Sequence, residues 1–304
     1  MLEEIRIEEN HQGFILLYDS KSHKRCMSNP HHHKELELNI VIRGSAEYVL
    51  KNQRYQLTSG SLVWLFPGQE HMLSKTDENF EMYVIVFEEE LFKNQNLPKD
   101  KYNILSDPNP AGTFCRKISM PSIRKLKGVC ESLCEINTIQ DVESPAHFYA
   151  GQAFGFKKNS IYLHADPVIL NAGLSYLMTI CWHLFITEGA EEKKQVLHSL
   201  VEKAIHLLKS FPEKDYGLMD LSVECGISSS RLSRLFNEQI GVSIVEYKNR
   251  LKLEQLIHYF QLHPEYSLSE ACYIVGFGSY SQFYKTFKNT YGISPKAYFG
   301  NEKN

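Results

Sequence analysis

Short apolar segments alternate with polar residues between Gly13 and Phe87, and Gly, Asn and Pro separate these segments. Alternation at every second position is the pattern of a strand with one buried face. Many short strands with a turn signal about every 8–12 residues are typical of a β-sandwich or β-barrel. The predicted strands lie within Gly13–Asp19, Leu36–Gly44, Ala46–Leu57, Ser61–Gly68 and Phe80–Phe87, with Lys51-Asn52 as a hairpin turn.

The pattern changes after Pro110, where apolar residues recur at steps of three and four. This spacing predicts a helix over Ser122–Thr138, followed by a polar loop over Asp141–Asn159. The apolar stripe of the helix has nearly heptad spacing, so it either pairs two subunits or packs on the β domain. The stripe contains Leu126, Val129, Leu133 and Ile136.

A second helix is predicted from Asp166-Pro167 to Thr187, because Asp is a favoured N-cap and Pro is favoured in the first turn. It is apolar nearly all round, so we expect it to be buried. Glu188–Lys194 is short and charged and is the predicted linker, after which the chain has helical spacing. A chain of 304 residues suits two domains, which we place at residues 1–190 and 195–304.

The composition is that of an ordinary globular chain, with 43% hydrophobic and 23% charged residues. These fractions exclude a mostly disordered chain, a collagen-like repeat and a coiled-coil rod. The N-terminus is acidic, and no apolar run reaches about 18 residues, so we expect no signal peptide, no membrane partner and a cytoplasmic location. The seven cysteines include no C-x-x-C pair, which predicts reduced thiols.

The formal net charge is -3, which argues against nucleic-acid binding by the chain as a whole. Two local segments are basic nevertheless. Arg231–Lys252 contains five Lys or Arg residues against two Glu, and Ser279–Lys296 contains three Lys and no acidic residue. A local basic surface can therefore exist in the C-terminal third.

The C-terminal third contains an internal repeat, since Cys225–Phe236 recurs as Val275–Phe287. In each copy a short helix ends at a glycine, Gly226 or Gly276, which can adopt the left-handed conformation of a tight turn. Ser228 or Ser279 then stands where an N-cap belongs, and a second amphipathic helix follows. The plan of each copy is a helix-turn-helix.

The second helix of each copy has an outward face of basic, amide and hydroxyl side chains. Arg and Lys bind guanine or phosphate, Gln binds adenine and Ser binds either base, so such faces suit a DNA major groove. The alternative is a polar face that is simply solvated. The candidate DNA-binding residues are Ser230, Arg231, Ser233 and Arg234 in the first copy, and Ser281, Gln282, Tyr284 and Lys285 in the second.

The stretch from Val201 to Phe299 resembles the DNA-binding domain of the AraC/XylS family of bacterial transcription regulators. The resemblance implies seven helices, with two helix-turn-helix units joined by a long helix near Ile244–Phe260. It also implies double-stranded promoter DNA as partner, contact with RNA polymerase and a homodimer. The resemblance is carried by Leu221, Cys225-Gly226-Ile227-Ser228, Leu232-Ser233-Arg234-Leu235-Phe236, Gly241, Arg250-Leu251, Gly276-Phe277, Ser279, Ser281-Gln282-Phe283, Phe287-Lys288, Gly292-Ile293-Ser294-Pro295 and Tyr298.

This sequence departs from the family pattern at a few positions. Lys285 stands where Arg is usual, Gln282 replaces a common Tyr, and Ser222 and Val223 replace a small Ala. These departures leave the fold intact but change which bases the domain would bind.

The N-terminal half resembles the cupin-type sensor domain found in this regulator family. One motif, H-x-H-x3-E, is formed by His31, His33 and Glu37, and His71 ends a second motif whose Pro67-Gly68 pair is one residue off the usual spacing. Two or three His and one carboxylate can hold a divalent metal, so these four residues are the candidate ligands. The alternative is that they persist without metal, and we expect no cofactor. His32 and Glu35 are predicted to face solvent.

A barrel of this size can hold a small effector, and the family resemblance suggests a sugar. Candidate effector contacts are Arg43, Trp64 and His71. For Arg43 the alternative is a surface salt bridge. For Trp64, the alternative is a role in the core or in the barrel lining. The same interpretation applies to Tyr48, Tyr55 and Tyr83.

We therefore expect a multidomain α and β protein, with an N-terminal cupin-like β-barrel and following helices and a C-terminal all-α domain with two helix-turn-helix units. The expected function is a non-enzymatic, effector-responsive transcriptional regulator. Two alternatives stay open at this stage: a metal-dependent cupin enzyme with an accessory helical domain, and a scaffold whose helical domain contacts only proteins.

Overall fold

The structure is a computed structural model. It describes residues 5, 7, 9–21, 31–50, 53–93, 102–107, 110, 112, 114–136, 166–192, 194–263, 265–291 and 294–299. The predicted turn at Lys51-Asn52 and the predicted loop over Asp141–Asn159 lie outside these residues. The chain divides into two compact units, one of residues 1–51 and 55–195 and one of residues 52–54 and 196–304.

The first unit is built on two antiparallel β-sheets. The larger sheet has the strand order β1-β7-β2-β5-β8-β9, and a second sheet contains β4, β3 and β6. All five predicted strand segments are confirmed, and Ala46–Leu57 is divided into two strands around the residues left undescribed. The strands are β1 Gly13–Asp19, β2 Leu36–Arg43, β3 Ser45–Leu50, β4 Gln53–Thr58, β5 Ser61–Leu65, β6 His71–Thr76, β7 Glu81–Phe87, β8 Cys115–Lys117, β9 Ala190–Glu191 and β10 Lys194–Val196.

Alternation along the strands of the larger sheet gives it two buried faces. On β2, the side chains of Leu36, Leu38 and Ile40 join an outer apolar cluster that includes residues of two helices. Val41, on the opposite face, joins an inner cluster with residues of the second sheet, such as Tyr48. Glu37 and Asn39 have the same parity as Val41, so the inner face of β2 combines an apolar core with polar groups.

In the part of the first unit that the structure describes, three helices accompany the sheets: α1 Glu89–Lys93, α2 Met120–Ile136 and α3 Pro167–Thr187, with a 3-10 turn at Asn103–Ser106. The predicted stripe of α2 packs on the outer face of the larger sheet, where Leu126 and Leu133 are buried. Intramolecular packing, one of the two alternatives for this stripe, is therefore what the structure shows for these residues. A stripe of this spacing satisfies a sheet as well as a second helix, which is why sequence did not decide between them.

The start of α3 is as predicted: the Asp166 carboxylate accepts hydrogen bonds from the backbone N–H groups of Val168 at 2.8 Å and Ile169 at 3.4 Å. The expectation that α3 is buried all round is wrong. Seven of its residues are buried, but an apolar side remains exposed, with Tyr176 55% exposed. Within the described residues, α3 is the one helix long and apolar enough to span a membrane by length and composition. Such a helix is weak evidence of a span, because the core helix of a soluble protein has the same properties.

The second unit has seven α-helices within the described residues, the number that the family resemblance implies. Serine side chains cap several of them at the N-terminus, among them Ser243 at the start of the long α7. The repeat therefore corresponds to two helix pairs on either side of one long helix. The helices are α4 Ser199–Ser210, α5 Leu218–Cys225, α6 Ser229–Ile240, α7 Ile244–Leu262, α8 Leu268–Ile274, α9 Tyr280–Tyr291 and α10 Pro295–Phe299.

Candidate nucleic-acid interface and sensor site

The first helix-turn-helix unit consists of α5, a glycine turn and α6. Gly226 has φ +67°, a left-handed conformation that side chains with a Cβ rarely adopt, so glycine is needed here for its backbone. The N–H of Ile227 bonds back to the carbonyl of Ser222 at 3.1 Å, which closes the end of α5. Ser228 then caps α6 by accepting the N–H of Arg231 at 3.4 Å.

The second helix-turn-helix unit, from α8 to α9, repeats this geometry. Gly276 has φ +85°, and the N–H of Phe277 bonds to the carbonyl of Cys272 at 3.0 Å. Ser279 accepts the N–H of Gln282 at 3.1 Å and so caps α9. The sequence prediction of a turn and a cap in both copies is confirmed.

The inward faces of α6 and α9 anchor these helices to the domain. Phe236 is fully buried and contacts Tyr247 of α7, with ring centroids 5.4 Å apart. Phe287 is equally buried and contacts Tyr298 of α10 at 4.9 Å. Burial of a large aromatic ring contributes on the order of 2–3 kcal/mol, so the rotation of each helix about its axis is fixed.

The opposite faces of α6 and α9 carry the eight predicted DNA-binding residues. Seven are exposed, and Ser233 is half-buried. Among the described residues, Arg234 has one loose contact, with its Nε 3.9 Å from Glu238 Oε1, and its side chain is 74% exposed. Both faces therefore present cationic and hydroxyl groups that are available to a partner. The exposed residues are Ser230, Arg231, Arg234, Ser281, Gln282, Tyr284 and Lys285.

Three cations of the first basic segment, all on α7, are engaged within the domain. Lys248 Nζ donates to the carbonyls of Asp215 at 2.8 Å and Tyr216 at 2.7 Å. Arg250 is 8% exposed and pairs with Glu246. Lys252 is half-buried and donates to the Gly276 carbonyl. Counting charges along the sequence cannot separate these inward cations from the outward ones on α6.

In the N-terminal compact unit, residues 1–51 and 55–195, the backbone brings the two histidine segments together. His31 and His71 form an isolated antiparallel bridge, with reciprocal N–H to carbonyl bonds of 3.0 and 2.9 Å. The N–H of Gly68 bonds to the carbonyl of His33 at 2.8 Å. The two sequence motifs are thus adjacent in space, as the resemblance implies.

Three of the four predicted metal ligands converge in one buried cluster. One ligand atom from each of His33, Glu37 and His71 lies within 4.8 Å of the other two. His31 adjoins the cluster, with its ring centroid 4.1 Å from that of His71. Glu37 is further held by Asn39 Nδ2, which donates to its Oε1 at 2.8 Å.

The hydrogen bonds of the two imidazoles assign their tautomers. His33 Nδ1 lies 3.1 Å from the Glu35 carbonyl and His71 Nδ1 lies 2.8 Å from the Gln69 carbonyl. A carbonyl only accepts, so each Nδ1 carries a proton, and the Nε2 of a neutral His71 then offers a lone pair. Nε2 of His33 hydrogen-bonds to Glu37 Oε2 at 2.9 Å, so without a metal one proton is shared by these two atoms, whereas Nε2 of His71 has no hydrogen-bond partner within the described residues.

Electrostatics favour the neutral form of His71. Burial, followed by the nearby His31 and His33, holds the pKa of His71 well below its usual value. A neutral imidazole whose Nδ1–H is fixed by a backbone carbonyl is the form in which histidine binds metals. The residues present therefore fit a divalent cation.

Two of the three predicted effector contacts lie away from the inner face. Arg43 is on the surface and forms the salt bridge that was its alternative, with Nη1 3.1 Å from Glu81 Oε1. Trp64 belongs to the outer cluster, where its ring meets Trp182 at 5.6 Å, because it stands one position off the inner parity of β5.

The expectation of a solvent-facing Glu35 is also wrong. Glu35 is 5% exposed, and burial raises its pKa. His32 is half-buried. The segment from residue 31 to residue 35 is a bridge and bend rather than a regular strand, so alternation did not apply to it.

Comparisons with known proteins agree with both halves of this description. A family model described as "AraC-like ligand binding domain" matches residues 15–114, and one described as "Helix-turn-helix domain" matches residues 221–301. This chain is a member of the AraC/XylS family. It is a transcriptional regulator with a ligand-binding domain and a DNA-binding domain.

Several relatives of this AraC-family regulator match over most of its length. The HTH-type transcriptional regulator AlkR of Acinetobacter baylyi is 23% identical over 266 residues, which is 85% of this chain and 86% of AlkR. The HTH-type transcriptional activator RhaS of an Enterobacter species is 22% identical over 271 residues, 88% of this chain and 85% of RhaS. A solved structure of unsaturated fatty acid bound ToxT from Vibrio cholerae is 17% identical and covers 96% of each chain, with a TM-score of 0.38.

Proposed function

We propose that residues 195–304 form the DNA-binding domain and that the outward faces of α6 and α9 enter two adjacent major-groove segments of promoter DNA. The observation that supports this is the repetition of one geometry: a left-handed glycine, a serine cap, a buried aromatic anchor and an exposed polar face, in both copies. Serine, arginine, glutamine and lysine side chains on such faces reach both base edges and phosphates. Tyr284 adds a ring with a hydroxyl on the second face.

The test is to select bound DNA from a random pool and to titrate the selected site with salt. Each phosphate neutralised by Lys or Arg releases counterions, so the affinity should fall steeply between low and physiological salt. An affinity that does not change with salt, or a selection that enriches no sequence, would contradict the proposal. A scaffold that contacts only proteins would give the second result.

We further propose that residues 1–190 form the sensor domain and bind a small effector at the inner face of β2. Glu37, Asn39 and Tyr48 form a chain of polar contacts there, since Asn39 Nδ2 also contacts the Tyr48 hydroxyl at 3.4 Å. The ring of His71 stacks on that of Tyr48, with centroids 6.2 Å apart. Carboxylate, amide and hydroxyl groups suit a hydroxyl-rich effector such as a sugar. Screening metabolites against the selected DNA tests this, and an effector should shift the DNA affinity.

A specific observation favours a second candidate, a divalent cation at His33, Glu37 and His71. One ligand atom from each of the three residues converges within 4.8 Å of the other two, and both Nδ1 atoms lie within hydrogen-bond distance of backbone carbonyls, as is usual for metal-binding histidines. Metal analysis of the purified protein and of His71→Ala tests it. Stoichiometric metal that is lost in the variant supports the site, whereas equal trace contents in both proteins contradict it. Turnover of a substrate with bound metal would revive the enzyme alternative, which we do not propose.

The regulator is proposed to act in the cytoplasm as a homodimer that contacts RNA polymerase. Because the stripe of α2 is covered by the sheet, we assign subunit pairing to the exposed side of α3. That side carries apolar residues at intervals of seven and ten positions, with Ile169 48%, Tyr176 55% and Ile186 40% exposed. The same face on a second copy offers an equivalent stripe, so the contact is self-complementary under two-fold symmetry.

A further inference from the structure

Two of the cations on α7 that face inward share one carboxylate partner. Lys248 and Lys252 are four residues apart and lie on one side of α7. Both ammonium groups contact one carboxylate oxygen, Asp215 Oδ1, at 3.1 Å from Lys248 and 2.6 Å from Lys252. Asp215 lies two residues before Gly217, the N-cap of α5, so this contact fixes α7 against the entry to the first unit.

Lys252 makes a second contact that its neighbour lacks. Its Nζ donates to the carbonyl of Gly276 at 2.7 Å, at the turn between α8 and α9. A single ammonium group therefore bridges the entry of the first unit and the turn of the second. Only 14% of the Lys252 side chain is exposed, and both contacts are charge-assisted.

The backbone at both ends of the bridge is shaped to meet it. Asp215 has φ +46°, a left-handed conformation uncommon for a residue other than glycine. Burial opposes its ionisation, but hydrogen bonds and charge from Lys252 and Lys248 outweigh burial and lower the Asp215 pKa. Gly276 is also left-handed, and a Cβ there would lie 3.6 Å from Lys252 Nζ.

The repeat supplies an internal comparison. In the first unit, Lys203 of the preceding helix α4 donates to the Glu224 carbonyl in the last turn of α5. Lys252 on α7 makes the corresponding lysine-to-carbonyl bond in the second helix-turn-helix unit. Unlike Lys203, it also contacts Asp215. Lys203 thus stabilises one unit, whereas Lys252 joins two.

We propose that Lys252 is a positioning residue that fixes the separation of the two reading helices, and that the domain therefore accepts only DNA whose two half-sites have one spacing. This inference rests on the proposed DNA binding. Without the bridge, the two helix-turn-helix units could move relative to each other, and binding would have to fix their separation. This entropic cost lowers the affinity for DNA with both half-sites and weakens the preference for one half-site spacing.

The experiment measures the affinity of full-length protein for the selected site, for the same site with two base pairs inserted between the half-sites, and for a single half-site. The wild-type protein should bind the inserted site on the order of tenfold more weakly than the selected site. Lys252→Met, which keeps side-chain length without charge, should reduce this difference to within about threefold and leave half-site affinity unchanged. Asp215→Asn should have the same effect, and the double variant should add little to either single change.

Lys203→Met is the matched control, because it removes a lysine to carbonyl bond inside one unit. It should leave the preference for spacing as in the wild-type protein. The salt dependence separates positioning from phosphate contact: loss of a phosphate-binding lysine lowers the slope by about 1, and Lys252→Met should leave it unchanged.

The outcomes distinguish the two proposals. If the wild-type protein selects no DNA, the proposed function fails. If the wild-type protein prefers one spacing and folded Lys252→Met and Asp215→Asn retain that preference, the positioning role is overturned. Circular dichroism and thermal melting establish that each variant is folded, and Asp215→Asn tests the bridge if Lys252→Met does not fold.

Discussion

Replacement of Arg234 by Ala should separate DNA binding from stability, because this side chain projects from a firmly anchored helix. Its side chain is 74% exposed, and its contact with Glu238 is 3.9 Å long across two side chains that are both largely in solvent. An exposed i,i+4 pair of this kind contributes about 0.3–0.5 kcal/mol, and the true value here is at the low end because of the distance. The free energy of unfolding should therefore change by less than about 0.5 kcal/mol.

DNA binding should change by much more. Loss of an arginine that contacts a base edge or phosphate costs about 1–3 kcal/mol, a factor of roughly 5–150 in the dissociation constant. Fluorescence anisotropy on the selected site measures this loss. A base contact would also relax specificity at one position, whereas a phosphate contact would reduce the salt slope by about 1.

Lys127→Ala provides the matched control. Lys127 is a helical cation whose side chain is 44% exposed and whose i,i+4 partner is Glu131 at 3.4 Å, but it lies on α2, outside the DNA-binding domain. Its loss should leave DNA affinity unchanged. A folded Arg234→Ala protein with wild-type affinity for the selected site would refute the assignment of the α6 face.

Three further predictions concern the turns, the histidine cluster and the exposed side of α3. Gly226→Ala should lower the free energy of unfolding by about 1–2 kcal/mol, because φ there is +67°. Gly128→Ala, on a right-handed helical residue with open space around it, should raise that free energy by up to about 1 kcal/mol in the same denaturant titration; equal effects would contradict this. In metal-free protein, burial holds the pKa of His71 below the 6.5 of the unfolded chain, so the unfolded state binds more protons near and below that pH. The free energy of unfolding should therefore decrease as the pH is lowered below 6.5, by at most about 1.4 kcal/mol per pH unit. His71→Gln should remove that part of the slope, and superimposable pH profiles would contradict the prediction. Tyr176→Arg should convert a dimer to a monomer in light scattering after gel filtration, and an unchanged mass would exclude α3 as the contact.

The architecture could be predicted from sequence where one local rule decides the structure. Alternation of apolar residues located β1 to β5 and β7 but missed β6, and Asp166-Pro167 located the start of α3. Gly226 and Gly276 located the turns because left-handed backbone has few other occupants. The resemblance to cupin motifs, rather than a local rule, indicated that His33, Glu37 and His71 would meet.

Other features depend on what each face packs against, which local patterns do not contain. The stripe of α2 fits a sheet or a second subunit equally well, and only the fold shows that the sheet covers it. Trp64 differs from Val63 by one position, yet that position decides whether a ring faces the outer or the inner cluster. Lys252 reads as one more DNA-binding cation until its two internal partners are known.

The central claim, that two similar helices occupy consecutive turns of one duplex, is tested most directly by a hydroxyl-radical footprint on the selected site. We predict two protected segments on the same side of the duplex, centred about 10–10.5 base pairs apart, and loss of one segment in each of Arg234→Ala and Lys285→Ala. A single protected segment, or two that both persist in the variants, would contradict the account.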